Sequence, residues 1–271
     1  MSKSGPKQSA APLGRVGKRV RQRFLRATTN PFADPDHRPL LVHCGYHKVG
    51  TVWFRQVLLS VLRPYGLRQQ EGKSASIRPD TDLAFYANAG TFERSQLGSR
   101  AFRGTHVIRD PRDLVVSGYE YHLKTDEPWA LRPDERYGGQ SYQEHLRSIS
   151  EHDGLMVELE RMTASTAAAF GAWDYHQDEF LELRLEDAVS DERATFERVF
   201  DWYGFNDDAV AIGMAAVDRL SLKQGGALPN HARSGQAGEW RDRLALDHVD
   251  RFKTLTGDLV VRLGYETTPD W

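Results

Sequence analysis

Residues Leu40–Leu62 read LLVHCGYHKVGTVWFRQVLLSVL, and the rest of the chain can be interpreted outward from them. The apolar run Leu40, Leu41 and Val42, preceded by Pro39, predicts a buried strand. Farther on, apolar side chains recur at helical spacing, at Trp53, Phe54, Val57, Leu58, Val61 and Leu62. The change of period between the two runs predicts a strand, a turn and a helix.

The turn contains Gly45 and Gly50, with Lys48 between them and Thr51 directly after them. A helix N-terminus offers unpaired N–H groups and a positive dipole end, and glycine lets a phosphate approach the backbone. The pattern therefore predicts a P-loop-like phosphate-binding loop. It differs from the nucleotide P-loop, in which Lys directly follows the second glycine. The alternative is a structural turn with a solvated Lys48.

Two further apolar runs, Leu83–Ala87 and Thr105–Ile108, predict strands. Residues 66–80 contain Gly and are predicted as a loop, and Thr91–Arg103 as a polar helix or loop. Strands that alternate with helices indicate an α/β protein with a parallel β-sheet flanked by helices. Ligands of such sheets bind at the carboxyl ends of the strands.

A second motif, RDPRDLVVS, follows the third predicted strand. Asp110 suits the N-cap of a helix and Pro111 its first turn, which leaves Arg109 at the end of the strand. Ser117 lies about two turns into that helix. An arginine fork and a hydroxyl in these places can grip another phosphate. The alternative is a surface network in which Arg109 pairs with Asp110 or Asp113.

At 271 residues, the chain can bury one large core, with or without an appended arm. It has no apolar run as long as a membrane span or a secretory signal. Cys44 is its one cysteine, so an internal disulfide is excluded. These features favour a cytoplasmic protein, with Cys44 as a buried, unreactive thiol.

Charge divides the chain into two parts. Residues 1–38 contain nine Lys/Arg and two Asp/Glu, whereas the remainder of the chain contains 27 Lys/Arg and 36 Asp/Glu. We interpret residues 1–38 as a flexible, solvated arm and residues 39–271 as the folded domain. Alternatively, the basic arm makes a weak contact with an anionic membrane surface, a nucleic acid or an acidic patch of its own domain. Deleting residues 1–30 is expected to leave the domain folded.

Taken together, the two motifs resemble those of the PAPS-dependent sulfotransferases, whose donor is 3′-phosphoadenosine 5′-phosphosulfate. HKVGTVW at His47–Trp53 matches that family's PKSGTTW at Lys, Gly, Thr and Trp, and Arg109–Ser117 matches R-[ND]-P-[KR]-D-x-x-x-S throughout. Leu181–Phe205, with Glu186-Asp187, is similar to its strand, acidic turn and helix. RSGQAGEW at Arg233–Trp240 resembles its R-K-G-x-x-G-D-W loop. The resemblance spans roughly residues 40–265.

The resemblance implies transfer of a sulfuryl group from PAPS, with 3′,5′-adenosine bisphosphate (PAP) as product and without a metal. Lys48 would offset charge on the leaving phosphate. Backbone N–H groups would hold the 5′-phosphate. The 3′-phosphate would be bound by Arg109, Ser117 and the Arg233–Gly235 loop. The donor-binding residues it implies are Lys48, Val49, Gly50, Thr51, Val52, Trp53, Arg109, Ser117, Arg233, Ser234 and Gly235.

Two departures from the family's pattern concern the general base and the adenine. Many members carry a base His upstream of the motif Arg, but Ala87 and Asn88 stand at that distance here, and Leu185 replaces an adenine-contacting Tyr. The candidate bases are His47, which we favour by its place beside Lys48, then His122, then Glu71 or Asp82. A His base predicts a rate that rises with pH near 6.5.

Residues 123–165 are predicted to determine which acceptor is used. Trp129 and Tyr137 can line an acceptor site, and Ser141 can cap the helix that follows. We expect a small-molecule or glycan hydroxyl (or amine) as acceptor, and no nucleic acid as partner. Two other functions stay open, a non-catalytic nucleotide-binding protein of the same fold and a P-loop kinase.

Overall fold

A computed structural model describes residues 30–73, 76–223 and 237–271. Its sheet has five parallel strands in the order β2-β3-β1-β4-β5. The strands are β1 Leu40–Cys44, β2 Gln69–Glu71, β3 Leu83–Tyr86, β4 Phe102–Ile108 and β5 Phe180–Arg184. The α-helices are α1 Thr51–Leu62, α2 Pro111–His122, α3 Tyr142–Ser148, α4 Glu151–Met162, α5 Ala168–Ala172, α6 Leu185–Ser190, α7 Glu192–Tyr203, α8 Asp207–Arg219, α9 Trp240–Arg243, α10 Leu246–Thr256 and α11 Leu259–Arg262. None of these helices is both long and apolar enough to cross a membrane.

The predicted α/β architecture with a parallel sheet is confirmed. Two loop predictions were incomplete. Residues 66–80 contain the short edge strand β2, whose polar sequence QQE hides it because it pairs with β3 alone. Thr91–Arg103 forms short 3₁₀ turns, and β4 already begins at Phe102.

The core forms where helices cover the sheet. In α1, Trp53 and Phe54 are buried and each ring lies 5.0 Å from Phe196 of α7. Cys44 on β1 is buried and not in a disulfide. Burial raises the pKa of the Cys44 thiol well above its ordinary value, so the thiolate is disfavoured. The predicted burial of this thiol is confirmed.

Part of the predicted flexible arm packs against the domain. The Asn206 N–H donates to the Pro31 carbonyl at 2.8 Å, and the Ala33 N–H to the Gly204 carbonyl at 2.9 Å. Between them, the ring of Phe32 lies 5.6 Å from Phe205 and is only 7% exposed. The segment 30–33 therefore belongs to the folded domain. For residues 1–29, which lie outside the described part, the flexible arm stays a prediction.

Phe32→Ala is expected to lower the free energy of unfolding by about 3 kcal/mol, because a buried aromatic ring leaves a cavity between two chain segments. The measurement is urea denaturation followed by tryptophan fluorescence. His37→Ala, in the same segment but exposed, is the control and should change stability by less than about 0.5 kcal/mol. Equal stability of the two variants would show that the segment is not docked in solution.

Candidate active site

The two predicted phosphate-binding motifs meet at one edge of the sheet. β1 and β4 are parallel neighbours, with Cys44 opposite His106 near their carboxyl ends. The loop after β1 and the helix start after β4 therefore emerge side by side, where ligands of open α/β sheets bind. Arg109 reaches across, and its Nη1 lies 3.5 Å from the Lys48 carbonyl oxygen. The structure thus brings together Lys48 and Arg109.

The loop backbone has the shape of an anion cradle. Lys48 and Gly50 adopt left-handed φ values of 66° and 78°. A side chain at Gly50 would also collide with Leu185, 2.8 Å from its Cδ1, so glycine is required there for two reasons. The first-turn N–H groups of α1, which begins at Thr51, have no acceptor within the helix and can bind a phosphate. The Thr51 hydroxyl donates to the Tyr46 carbonyl at 2.6 Å and so closes the loop.

Tyr46 anchors this loop to the sheet. Its hydroxyl lies 3.1 Å from Nε2 of His106 on β4, and the other ring nitrogen of His106 bonds Glu182 on β5 at 2.6 Å. Trp173 stacks on His106 at 4.0 Å and donates its indole N–H to Glu182 at 2.9 Å. Sequence analysis missed this network. The one available signal was a histidine inside the apolar run of β4.

The start of α2 confirms the predicted cap. The Asp110 side chain accepts from the Arg112 N–H, and Pro111 occupies the first turn. Asp110 also takes a two-pronged bond from the Arg112 guanidinium, at 3.0 and 2.8 Å. The alternative prediction was a surface network in which Arg109 pairs with Asp110 or Asp113. Among the described residues, Asp110 binds the guanidinium of Arg112. Arg109 itself is buried, with 6% exposed.

Arg112 and Asp113 hold the last described part of the chain against α2. The Arg112 guanidinium lies over the rings of Trp240 and Trp271, 4.0 and 4.3 Å from their centroids. Asp113 accepts the N–H groups of Gly238 and Trp240 at 2.7 and 2.9 Å. Burial raises the pKa of Asp113, although both N–H bonds oppose the shift. The predicted Arg233–Trp240 loop therefore ends against α2, at Asp113.

Arg233, Ser234 and Gly235 lie outside the described residues, and their role stays a prediction. The acidic turn after β5 is described. It begins the short helix α6, and Glu186 accepts the Asp110 N–H at 2.8 Å. Burial raises the pKa of Glu186 against the effect of that bond. Glu186 thus contacts the start of α2, whereas Asp187 is exposed.

Comparison with known proteins identifies the fold. No known family profile and no curated protein sequence matches the chain. Mouse sulfotransferase SULT7A1 complexed with PAP superposes with a TM-score of 0.53 at 16% identity, over 87% of this chain and 89% of that one. This chain has the sulfotransferase fold.

Two structures of retinol dehydratase are also similar. The one in a complex with retinol and PAP has a TM-score of 0.47 and 15% identity, over 88% of this chain and 86% of that one. The one with androsterone and inactive cofactor PAP has a TM-score of 0.48 and 14% identity, over 89% and 85%. The sulfotransferase fold is assigned on SULT7A1, and it confirms the fold predicted from the sequence.

On this sulfotransferase fold, the two candidate base histidines contact each other beside Lys48. The rings of His47 and His122 stack, 5.3 Å apart and inclined by 14°. Tyr121 packs against both rings, and the Lys48 ammonium lies 4.3 Å from the Tyr121 ring centroid. Both Nε2 atoms are buried and find no hydrogen-bond partner among the described residues. Burial, then the charges of His122 and Lys48, lower the pKa of His47 to about 4, so it is neutral at pH 7.

The acidic candidates for the base are placed differently from expectation. Asp82 precedes β3, at the amino end of the parallel sheet, and accepts the Arg68 N–H at 2.7 Å. Asp82 therefore lies at the amino ends of the strands, opposite the loop that contains Lys48, and the prediction of Asp82 as a candidate base was wrong. Glu71 ends β2 at the correct edge but lies in an exposed ion pair with Arg55. Asn88 accepts the Gly90 N–H at 3.0 Å and caps a short turn.

The predicted acceptor segment packs around His122. Trp129 is 41% exposed, its ring lies 5.1 Å from His122, and its indole N–H donates to Glu127 at 2.5 Å. Tyr137 contacts Tyr142, which lies beside His122. The predicted cap is confirmed, because Ser141 begins α3 with a reciprocal capping box. Trp129 thus presents an aromatic surface next to the histidines.

One group of side chains away from these motifs has spacing compatible with a metal. Ligand atoms of His152, Asp247 and His248 lie within 4.8 Å of one another. However, His248 accepts the Ala245 N–H through Nδ1 and bonds the His152 carbonyl through Nε2. Nδ1 of His248 therefore caps α10 and Nε2 joins it to α4, so neither ring nitrogen is left for a metal.

Proposed function

We propose that this protein is a sulfotransferase that moves a sulfuryl group from PAPS to the hydroxyl or amine of a small-molecule or glycan acceptor. The observation that carries the proposal is the meeting of Lys48 and Arg109 where the neighbouring strands β1 and β4 end. Each motif was assigned to phosphate binding on its own, and their juxtaposition suits a donor with two separate phosphate groups.

The chain's own groups are sufficient for donor binding. The left-handed backbone at Lys48 and Gly50 suits the 5′-phosphosulfate, as do the N–H groups from Val49 to Trp53 in the loop and the first turn of α1. Lys48 supplies a cation where charge develops as the S–O bond breaks. Arg109 and Ser117, together with Arg233–Gly235, are proposed to bind the 3′-phosphate. We propose no metal for this chemistry.

Two alternatives make different predictions. A P-loop kinase needs Lys after the second glycine, but Thr51 occupies that place and bonds the Tyr46 carbonyl. Metal-dependent turnover of ATP would support it. A non-catalytic nucleotide-binding protein would bind PAP without transferring labelled sulfate from PAPS. A cytoplasmic location and a weak membrane contact of the basic arm stay predictions.

Wild-type protein is expected to bind PAP at least about 100-fold more tightly than ADP in calorimetry, because only PAP carries a 3′-phosphate. Arg109→Met should weaken PAP binding by roughly 10- to 150-fold, the effect of one charge-assisted contact, and leave ADP binding nearly unchanged. Arg103→Met, an exposed residue of the same strand, is the control. Equal affinities of the wild type for PAP and ADP would contradict the proposed function.

A further inference from the structure

We propose that His122 receives the proton of the acceptor hydroxyl and that buried Glu158 on α4 is the positioning residue that makes it able to do so. The inference rests on the proposed function of the same site and names its base. It reverses the order expected from the sequence, in which proximity to Lys48 favoured His47. It also adds Glu158, which is 36 residues away in sequence and which no motif indicated.

The hydrogen bond between these two residues sets the tautomer of His122. Nδ1 of His122 lies 2.9 Å from Oε2 of Glu158, and the two side chains are 0% and 1% exposed. An ionised carboxylate only accepts hydrogen bonds, so the proton of a neutral His122 is on Nδ1. Nε2 then carries the free lone pair, and it is this buried atom that has no partner among the described residues.

Glu158 is held in place from several sides. It accepts the Tyr142 hydroxyl at 2.5 Å and the Arg161 guanidinium at 2.8 Å. Burial alone would raise the pKa of Glu158, but the hydrogen bond and charge of His122 and the charge of Arg161 hold it below its ordinary range. The carboxylate therefore stays ionised opposite His122.

Gly118 on α2 makes room for this arrangement. A Cβ at position 118 would lie 2.4 Å from Oε1 of Glu158. Glycine is unfavourable inside a helix relative to alanine, and the close approach of the carboxylate gives a reason for it at this position. Gly154 on α4 makes room for Tyr119 in the same way, because a Cβ at position 154 would lie 2.5 Å from Cε2 of the Tyr119 ring. The two helices approach closely because of both residues.

His47 is the less suitable of the two stacked histidines. Its lowered pKa keeps it neutral, and among its neighbours His122 and Lys48 both oppose a positive charge. His122, by contrast, has a carboxylate in direct contact. The imidazole rings of His47 and His122 are 5.3 Å apart, so a positive charge on one disfavours a positive charge on the other. The carboxylate that can stabilise such a charge, Glu158, contacts His122. The titratable or charged groups around His122 are Lys48, His47, Tyr121, Glu127, Tyr142, Glu158 and Arg161.

The transfer step balances with these groups. The acceptor oxygen bonds to sulfur while the bond from sulfur to the 5′-phosphate oxygen breaks, and its electron pair leaves with the phosphate. The hydroxyl proton passes to Nε2 of His122, and the resulting imidazolium is neutralised by Glu158. Lys48 offsets the charge on the leaving phosphate. The proton is later released to solvent, which restores the neutral His122.

The first test does not depend on activity. In ¹⁵N NMR of the PAP-bound wild type, the His122 ring at high pH should show a protonated Nδ1 and an unprotonated Nε2. In Glu158→Gln, the tautomer protonated at Nδ1 should no longer dominate, because an amide can donate to Nδ1 as well as accept from it. A wild-type His122 protonated at Nε2, or a tautomer unaffected by Glu158→Gln, would overturn the inference.

The second test measures turnover of labelled PAPS with 4-nitrophenol as acceptor. If another phenol from a panel is sulfated faster, that phenol is used instead. His122→Asn keeps a donor at the Nδ1 position but has no base, and should lower kcat about 10²- to 10⁴-fold. Glu158→Gln should lower kcat without changing PAP affinity, because the imidazolium loses its carboxylate partner. His176→Asn, at an exposed histidine outside the predicted acceptor segment, is the control.

PAP affinity distinguishes the two levels of the proposal. If PAP binds the wild type and both variants equally while His122→Asn keeps full kcat, His122 is not the base and the proposed function survives. If PAP does not bind the wild type, the proposed function itself fails. A pH–rate profile that loses its rising limb in His47→Asn but not in His122→Asn would assign the base to His47 instead.

Discussion

Lys48→Met is expected to lower the turnover of PAPS about 10²- to 10³-fold, the usual effect of removing one charge that stabilises the transition state. PAP affinity should fall less than about tenfold, because the contact of Lys48 strengthens only as the S–O bond breaks. Met keeps the length of the side chain. Met must adopt the same left-handed φ of 66° as Lys48, so the substitution does not change the strain of the loop backbone.

The measurement is kcat and KM for PAPS with labelled donor, beside calorimetry of PAP. Lys124→Met, an exposed lysine just after α2, is the matched control and should keep both values. In the free protein the Lys48 ammonium lies over the Tyr121 ring, next to the stacked histidines. A variant with normal turnover and weak PAP binding would show that Lys48 only clamps the donor.

Arg112→Met is expected to lower the free energy of unfolding by about 3–5 kcal/mol, the effect of removing one partner from a buried ion pair. Arg112 is 1% exposed, and it binds both Asp110 oxygens and, at 2.7 Å, Glu266. Its loss leaves the Asp110 carboxylate buried without its cation. The stacking of Trp240 and Trp271 on the guanidinium is lost as well.

Urea denaturation measures this loss, and Arg241→Met is the control. Arg241 also lies over Trp240 and near Glu266, but its side chain is 60% exposed, so its loss should cost less than about 1 kcal/mol. Because Arg112 helps to hold Trp240 against α2, its replacement should also weaken PAP binding. Arg112→Lys should not restore stability, because an ammonium lacks the planar fork. Equal stability of Arg112→Met and Arg241→Met would contradict the role assigned to the buried network.

Local patterns of the sequence were sufficient for the fold class and for the elements on which the predicted donor motifs lie. The change from strand to helical period at the loop around Lys48 located β1 and α1 to within two residues. Asp110 and Pro111 predicted the start of α2 because capping depends on neighbouring residues only. In contrast, the edge strand β2 was missed, since its polar residues are defined by pairing with β3 and not by burial.

Tertiary structure determined the surroundings of these motifs, because burial and contact between distant residues have no local signature. The sequence offered Asp82 as a candidate base, but the parallel sheet places Asp82 and Lys48 at opposite ends of the strands. The contact of His47 with His122 joins residues 75 positions apart, and Glu158 reaches His122 from another helix. The sequence by itself determined an α/β protein and predicted its phosphate-binding loop, since period, caps and glycines act over a few residues. Which histidine has a carboxylate beside it was decided by how α2 and α4 pack, and that depends on the whole chain.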